Sequence, residues 1–278
     1  MSLTHADTLP PQQVWASGDF AMVATTSVIV PELLCEAVDV HAGQQVLDVA
    51  TGSGNAALAA ARCWCTVHGI DFVPALLDRA RERARAERLP IGFQLADARA
   101  LPFPDDAFDV VLSVFGAMFV PDQEQTAREM IRVCRPGGRI GMANWTPDGF
   151  IGTVLGAIGR HVSPSPGQES ALLWGSKERI RDLFSYSTHS IRTRRRTVTF
   201  RYRSADHFVE FFRTYYGPTL VAFEALDATG QRNLTGALIE VVQRFNRSGD
   251  ATMVVPADYL EIVIVKTKSN RASHRRTT

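Results

Sequence analysis

Between residues 44 and 146 the hydrophobic positions alternate between two patterns. Short apolar runs at Val46 to Val49, Thr66 to Ile70, Ile91 to Leu95, Phe108 to Val114 and Arg139 to Asn144 read as strands, apolar throughout as in a sheet buried on both faces. Segments of helical length lie between them. Asn55 to Arg62 starts an Ala-rich helix. Ala75 to Glu87 follows Pro74, which a first helical turn tolerates, and carries Leu76, Leu77, Ala80 and Ala84 among Arg and Glu. Gln123 to Cys134 is a further helix, and the breaker Arg135-Pro136-Gly137-Gly138 separates it from the fifth strand. Strands joined by helix-length segments predict a parallel sheet covered on both faces, hence a doubly wound α/β domain.

The second half has another texture. Pro164, Pro166 and Gly167 mark a loop, and Lys177 to Phe184 is a short helix. Ile191 to Arg203 reads as a long strand with its Arg residues on one side, and Tyr259 to Lys266 as the final strand. Residues 205 to 247 between them are helical. There Phe208, Phe211, Phe212, Tyr215 and Tyr216 recur at i, i+3, i+4, i+7 and i+8, by default a core-facing stripe. An insertion in that place, at the end of a sheet, can also roof a pocket. From Thr267 the tail is basic and polar and is expected to be disordered.

Composition narrows the function classes. The 278 residues are 45% hydrophobic and 21% charged with net charge +1, the balance of a soluble globular protein and not of a strongly basic nucleic-acid binder. The run Arg192, Arg194, Arg195, Arg196, Arg201 and Arg203 then reads as a guard on a sheet edge. The apolar stretches are shorter than the roughly 18 to 20 residues of a membrane helix, and the N-terminus lacks a signal core, so no membrane span and a cytoplasmic location are expected. Cys35, Cys63, Cys65 and Cys134 follow no zinc or disulfide spacing, so no metal is expected and they read as structural thiols.

The chemistry concentrates in Gly52-Ser53-Gly54-Asn55-Ala56-Ala57, which follows a strand and opens a helix, with Asp71 at the end of the next strand. Small residues let a ligand approach the backbone, free N–H groups favour an anionic group, and a strand-end acid can accept from ribose hydroxyls. Alone, this also fits the fingerprint of an NAD(P)-dependent oxidoreductase. Asp48 inside the first strand, Asp97 after the third, and the RPGG segment before the fifth extend the pattern. Together these residues resemble the class I S-adenosylmethionine-dependent methyltransferases, in the branch similar to ubiquinone/menaquinone C-methyltransferases (methyltransferase type 11). The resemblance covers roughly residues 12 to 146 and is weak over 150 to 265.

The resemblance implies a Rossmann-like, doubly wound seven-stranded sheet, mostly parallel with an antiparallel last strand, plus a helical insertion. Residues 1–43 would form an N-terminal helical segment closing over the cofactor, 44–146 the S-adenosylmethionine-binding core, 147–266 the last strands and substrate-side insertion, and 267–278 the tail. Asp48, Ala50, Thr51, Gly52 and Gly54 would hold the methionine end, with Asp48 facing its ammonium group. Asp71 would take the ribose, Phe72 pack on the adenine, Asp97 and Ala98 bond to its edge, and Phe115 floor the methyl group. Ala50 stands where the family often has Gly, a change that excludes little if its φ is negative. Trp15 or Phe20 would face the sulfonium. Phe119, Trp145, Phe212 and Tyr216 are the candidates for the acceptor side, and His207 is the candidate base. The acceptor is expected to be a small aromatic or quinone/polyketide-like molecule methylated on O or C, with a homodimer left open. A non-catalytic cofactor-binding regulator is the alternative from another class.

Overall fold

The computed structural model describes residues 9–162 and 169–268. Three helical pieces come first, α1 (Pro11–Ala16), α2 (Phe20–Ala24) and α3 (Ile29–Val38), with a 3₁₀ turn at Thr25–Ser27. The core follows as β1 (Gln45–Val49), α4 (Asn55–Arg62), β2 (Thr66–Asp71), α5 (Pro74–Ala86), β3 (Ile91–Leu95), β4 (Phe108–Val114), α6 (Gln123–Val133) and β5 (Cys134–Trp145). Then come α7 (Phe150–His161), α8 (Lys177–Phe184), β6 (Thr188–Tyr202), α9 (Ala205–Tyr215), α10 (Gly217–Glu224), α11 (Ala228–Phe245) and β7 (Met253–Lys266).

The seven strands form one sheet in the order β3-β2-β1-β4-β5-β7-β6. β1 to β5 are parallel, and β7 enters antiparallel between β5 and β6. The runs of β1, β2, β4 and β5 are buried along most of their length on both faces, as inner parallel strands require, whereas β3 at the sheet edge has no buried residue and exposes Leu95. Leu34, Val38, Ala57, Ala60, Val46, Val67 and Leu112 make the core under α3 and α4, and Leu47, Ile70, Val111, Met130 and Ile140 the core under α6. The reversal of strand order lies between β1 and β4, where ligands bind in open α/β sheets.

Three expectations change. Residues Arg135 to Gly138 do not separate helix from strand. β5 runs through them, and its pairing with β4 jumps from Phe108↔Cys134 to Val110↔Arg139, so they form a bulge where Pro136 need donate no ladder bond. The Arg residues of β6 do not share a side. Successive strand residues alternate faces, so Arg192 donates to the Ala37 carbonyl while Arg195 pairs with Asp148 and Asp258. β6 is nonetheless an edge strand. β7 also starts earlier than its apolar run, because Met253 to Asp258 pairs with Thr197 to Tyr202 as a ribbon beyond the end of β5. Helices α7, α9 and α11 pack on these strands, with α10 against α7 and α9, and Phe208 and Phe212 pack there against Phe150 and Tyr202. The loop at Pro164, Pro166 and Gly167 and the tail from residue 269 lie outside the described residues. Among the described residues no single helix is long and apolar enough to cross a membrane.

Candidate active site

The carboxyl ends of β1, β2 and β4 and the loop after β3 open into a cavity of about 320 Å³. Its first end is the turn from β1 into α4. Ala50, Gly52 and Gly54 have φ of 54°, 54° and 89°, and a Cβ on Gly54 would lie 3.1 Å from Ala80 Cβ, so glycine is favoured at Gly54 on two counts. Thr51 N–H donates to the Ile70 carbonyl (2.8 Å), tying the turn to β2. Asp48 is 1% exposed and accepts from the Thr51 hydroxyl and from Ala57 N–H (2.9 Å). Burial pushes its carboxyl up to about 7, with the neighbouring Asp71 adding to the rise against those two hydrogen bonds.

Asp71 ends β2, also buried. Its Oδ2 accepts from Gly52 N–H (2.8 Å) and its Oδ1 from Val73 N–H (3.0 Å), and burial still raises its pKa above the ordinary carboxylate value. Phe72 N–H also favours the charged form, and the carboxylate still has lone-pair capacity to spare for a ligand. At the other end stands Asp97, its side chain 45% exposed, where Arg99 donates through Nη2 (2.7 Å) and Nε (3.1 Å) and holds the carboxyl below its usual range. Phe72 and buried Ala98 line the wall beside it. The loop that carries Asp97 and Ala98 is fastened from α6. Glu129 accepts from Leu101 N–H (2.7 Å), and Arg132 donates to the carbonyls of Leu101 (3.0 Å) and Phe103 (2.8 Å).

Between the ends the walls are aromatic. Trp15 and Phe20 reach in from the N-terminal helices, and the Trp15 ring stands 5.0 Å from Phe119 and 5.9 Å from Phe20. Phe115 leaves β4 with φ 55° and stacks on Trp145 at 3.7 Å, the two rings parallel. Ser113 holds the adjacent strand ends together, donating to the Val49 carbonyl (2.8 Å) and accepting from Ala117 N–H (2.9 Å).

Of the expected cofactor residues, Asp48, Ala50, Thr51, Gly52, Asp71, Phe72, Asp97, Ala98 and Phe115 all line this cavity, while Gly54 stands just behind it as the cap of α4. Ala50 is not at negative φ. It adopts a left-handed backbone that costs about 1–2 kcal/mol outside glycine. Its carbonyl packs on Gly116, where a Cβ would approach to 2.4 Å, so the strand ends fit only with that side chain absent. On the acceptor side only Phe119 reaches the cavity. Trp145 is screened by Phe115, and Tyr216 lies behind Trp15 at 5.7 Å. Phe212 is in the core between Phe208 and Tyr216. His207 is also remote from the cavity: its Nδ1 accepts from Arg203 N–H (3.2 Å) and its ring packs on Tyr202 and Phe211, so it cannot serve as base there. Arg99 was not anticipated, although a basic residue two positions after a strand-end acid is the signal for such a pair.

The donor set fits S-adenosylmethionine. A buried carboxyl in need of a cation, free N–H groups at a helix start, a second acid with spare lone pairs and a flat apolar slot match an ammonium, a carboxylate, a ribose and an adenine. Fold and cavity define a class I S-adenosylmethionine-dependent methyltransferase, and the chain belongs to that family. Residues 46–138 match the family model described as a methyltransferase domain. Among its relatives, the uncharacterized protein Rv1403c of Mycobacterium tuberculosis is 40% identical over 219 residues, 77% of this chain and 80% of that one. The demethylmenaquinone methyltransferase of Deinococcus radiodurans is 37% identical over 177 residues, 58% of this chain and 73% of that one. In fold, the YcgJ protein of a Bacillus superposes with a TM-score of 0.61 at 20% identity, over 86% of this chain and 98% of that one.

Proposed function

We propose that the protein moves a methyl group from S-adenosylmethionine to an O or C atom of a small aromatic or quinone/polyketide-like acceptor. The observation that carries this reading is one continuous cavity with polar ends and an aromatic middle. In this reading Asp48 and the Ala50 to Gly54 turn hold the amino-acid end, Asp71 the ribose hydroxyls, and Phe72, Asp97 and Ala98 the adenine. Bound S-adenosylmethionine supplies an electrophilic methyl on a sulfonium. Trp15, Phe20, Phe115 and Phe119 then exclude water and offer flat apolar faces to an acceptor, which is positioned for in-line attack. The segment α1 to α3 forms the cover over the cofactor, Gln12 donating to the Phe72 carbonyl across the cavity mouth. The demethylmenaquinone methyltransferase relative supports an acceptor of this shape.

The test is release of S-adenosylhomocysteine from S-adenosylmethionine with a panel comprising a naphthoquinol, a simple phenol, a 1,3-dicarbonyl and an aliphatic amine. Turnover with a flat aromatic or enolic acceptor is expected; turnover confined to the amine contradicts the reading. Thermal stabilisation by NADPH but not by S-adenosylhomocysteine would return the oxidoreductase.

A further inference from the structure

Arg83 stands on α5, half-buried, outside the cavity. Its Nη1 donates to the Ser53 carbonyl (2.7 Å), to Ser53 Oγ (3.2 Å) and to Asn55 Oδ1 (2.7 Å). All three acceptors are neutral. Among the described residues Arg83 forms no close ion pair, and burial lowers its pKa from the ordinary arginine value. The contacts continue, because Asn55 Nδ2 donates to the Ala24 carbonyl (2.9 Å) at the end of α2, and Ala24 and Phe20 of that helix line the cavity. One cation is therefore held directly behind the turn that opens α4, and one amide joins that turn to the cover.

We propose that Arg83 is a positioning residue for the carboxylate of the cofactor's amino-acid end. It fixes Ser53-Gly54-Asn55 so that the free N–H groups at the start of α4 face that carboxylate, and it adds positive charge behind them. Asn55 passes the same constraint to α2. The proposal rests on the placement of the amino-acid end at Asp48 and the Ala50 to Gly54 turn.

The test is calorimetric titration of the full chain with S-adenosylhomocysteine and with 5′-methylthioadenosine, which has the adenosine and sulfur but no amino-acid end. Arg83→Met is expected to weaken S-adenosylhomocysteine about tenfold and to leave 5′-methylthioadenosine within about twofold. Arg83→Lys keeps the charge without the planar fork and is expected to recover part of that loss, leaving about threefold. Should Arg83→Met not fold, the same selective weakening is read in Arg83→Lys. Adding Asn55→Ala to Arg83→Met is expected to cost little more, since the two act in one chain of contacts. Equal weakening of both ligands, or none of S-adenosylhomocysteine, overturns the proposal. If the unsubstituted protein binds the two ligands equally, the placement of the amino-acid end fails, and the Arg83 proposal with it.

Discussion

Asp48 and Asp97 stand at opposite ends of one cavity in contrary electrical states. Asp48 is 1% exposed with no cation beside it among the described residues, and burial pushes its carboxyl up to about 7. The side chain of Asp97 is 45% exposed, and Arg99 holds its carboxyl below the usual range. The first therefore has an unmet demand for positive charge that a ligand ammonium can satisfy, and the second is already neutralised. A ligand is held by charge at the β1 end and mainly by shape at the β3 end.

The largest effect should come from Asp71, which lies between them and is buried like Asp48. Asp71→Ala is expected to weaken S-adenosylhomocysteine on the order of 100-fold by calorimetry, because two charge-assisted hydrogen bonds are lost from a dry site. An affinity within about threefold of the unsubstituted protein would separate Asp71 from the ribose.

Asp48 should respond to pH. Folding takes up a proton there between about pH 4 and pH 7, so this group's contribution to stability is full below about pH 4, declines as pH rises across that window and is gone above about 7. Asp48→Asn removes that dependence and should melt above the unsubstituted protein at pH 8 while approaching it toward about pH 4. Its affinity for S-adenosylhomocysteine should nonetheless fall about tenfold at pH 8, since the ammonium loses its partner. In the unsubstituted protein affinity should fall as pH drops below about 7 and level off about tenfold lower, near that of Asp48→Asn, which should show no such change. Parallel pH profiles for the two proteins would break the contrast.

At the far end the effects should be smaller. Asp97→Asn is expected to weaken binding about threefold to fivefold at every pH from 5 to 9, as its carboxylate stays ionised throughout. Arg99→Ala is expected to change affinity by less than about twofold, the worth of an exposed ion pair. A strong pH dependence in Asp97→Asn would show that the two acids are less different than their surroundings.

The same contrast explains what could be read from the residues alone. The strand-end acids Asp48, Asp71 and Asp97 and the Gly52 to Gly54 turn were legible because strand periodicity and short loops bring them to one edge of the sheet. Their states were not, since burial and the Arg99 partner depend on the whole packed structure. The left-handed φ of Ala50 was not legible, because Ala50 packs against Gly116, a residue more than sixty positions away. The stripe from Phe208 to Tyr216 has the same spacing whether it faces a pocket or a core. Only the β6–β7 ribbon, which offers Tyr202 to Phe208, Phe211 and Phe212, decides for the core. Arg83 was hidden among the Arg and Glu residues of α5, where nothing local distinguishes it from a solvated side chain.

The most direct test of the account is a crystal structure with S-adenosylhomocysteine bound. The ribose hydroxyls should lie within hydrogen-bond reach of the Asp71 carboxylate, roughly 2.6–3.0 Å, with the ammonium toward Asp48 and the adenine beside Phe72. Ligand lying in the reverse direction, or outside the cavity between Asp48 and Asp97, would contradict it.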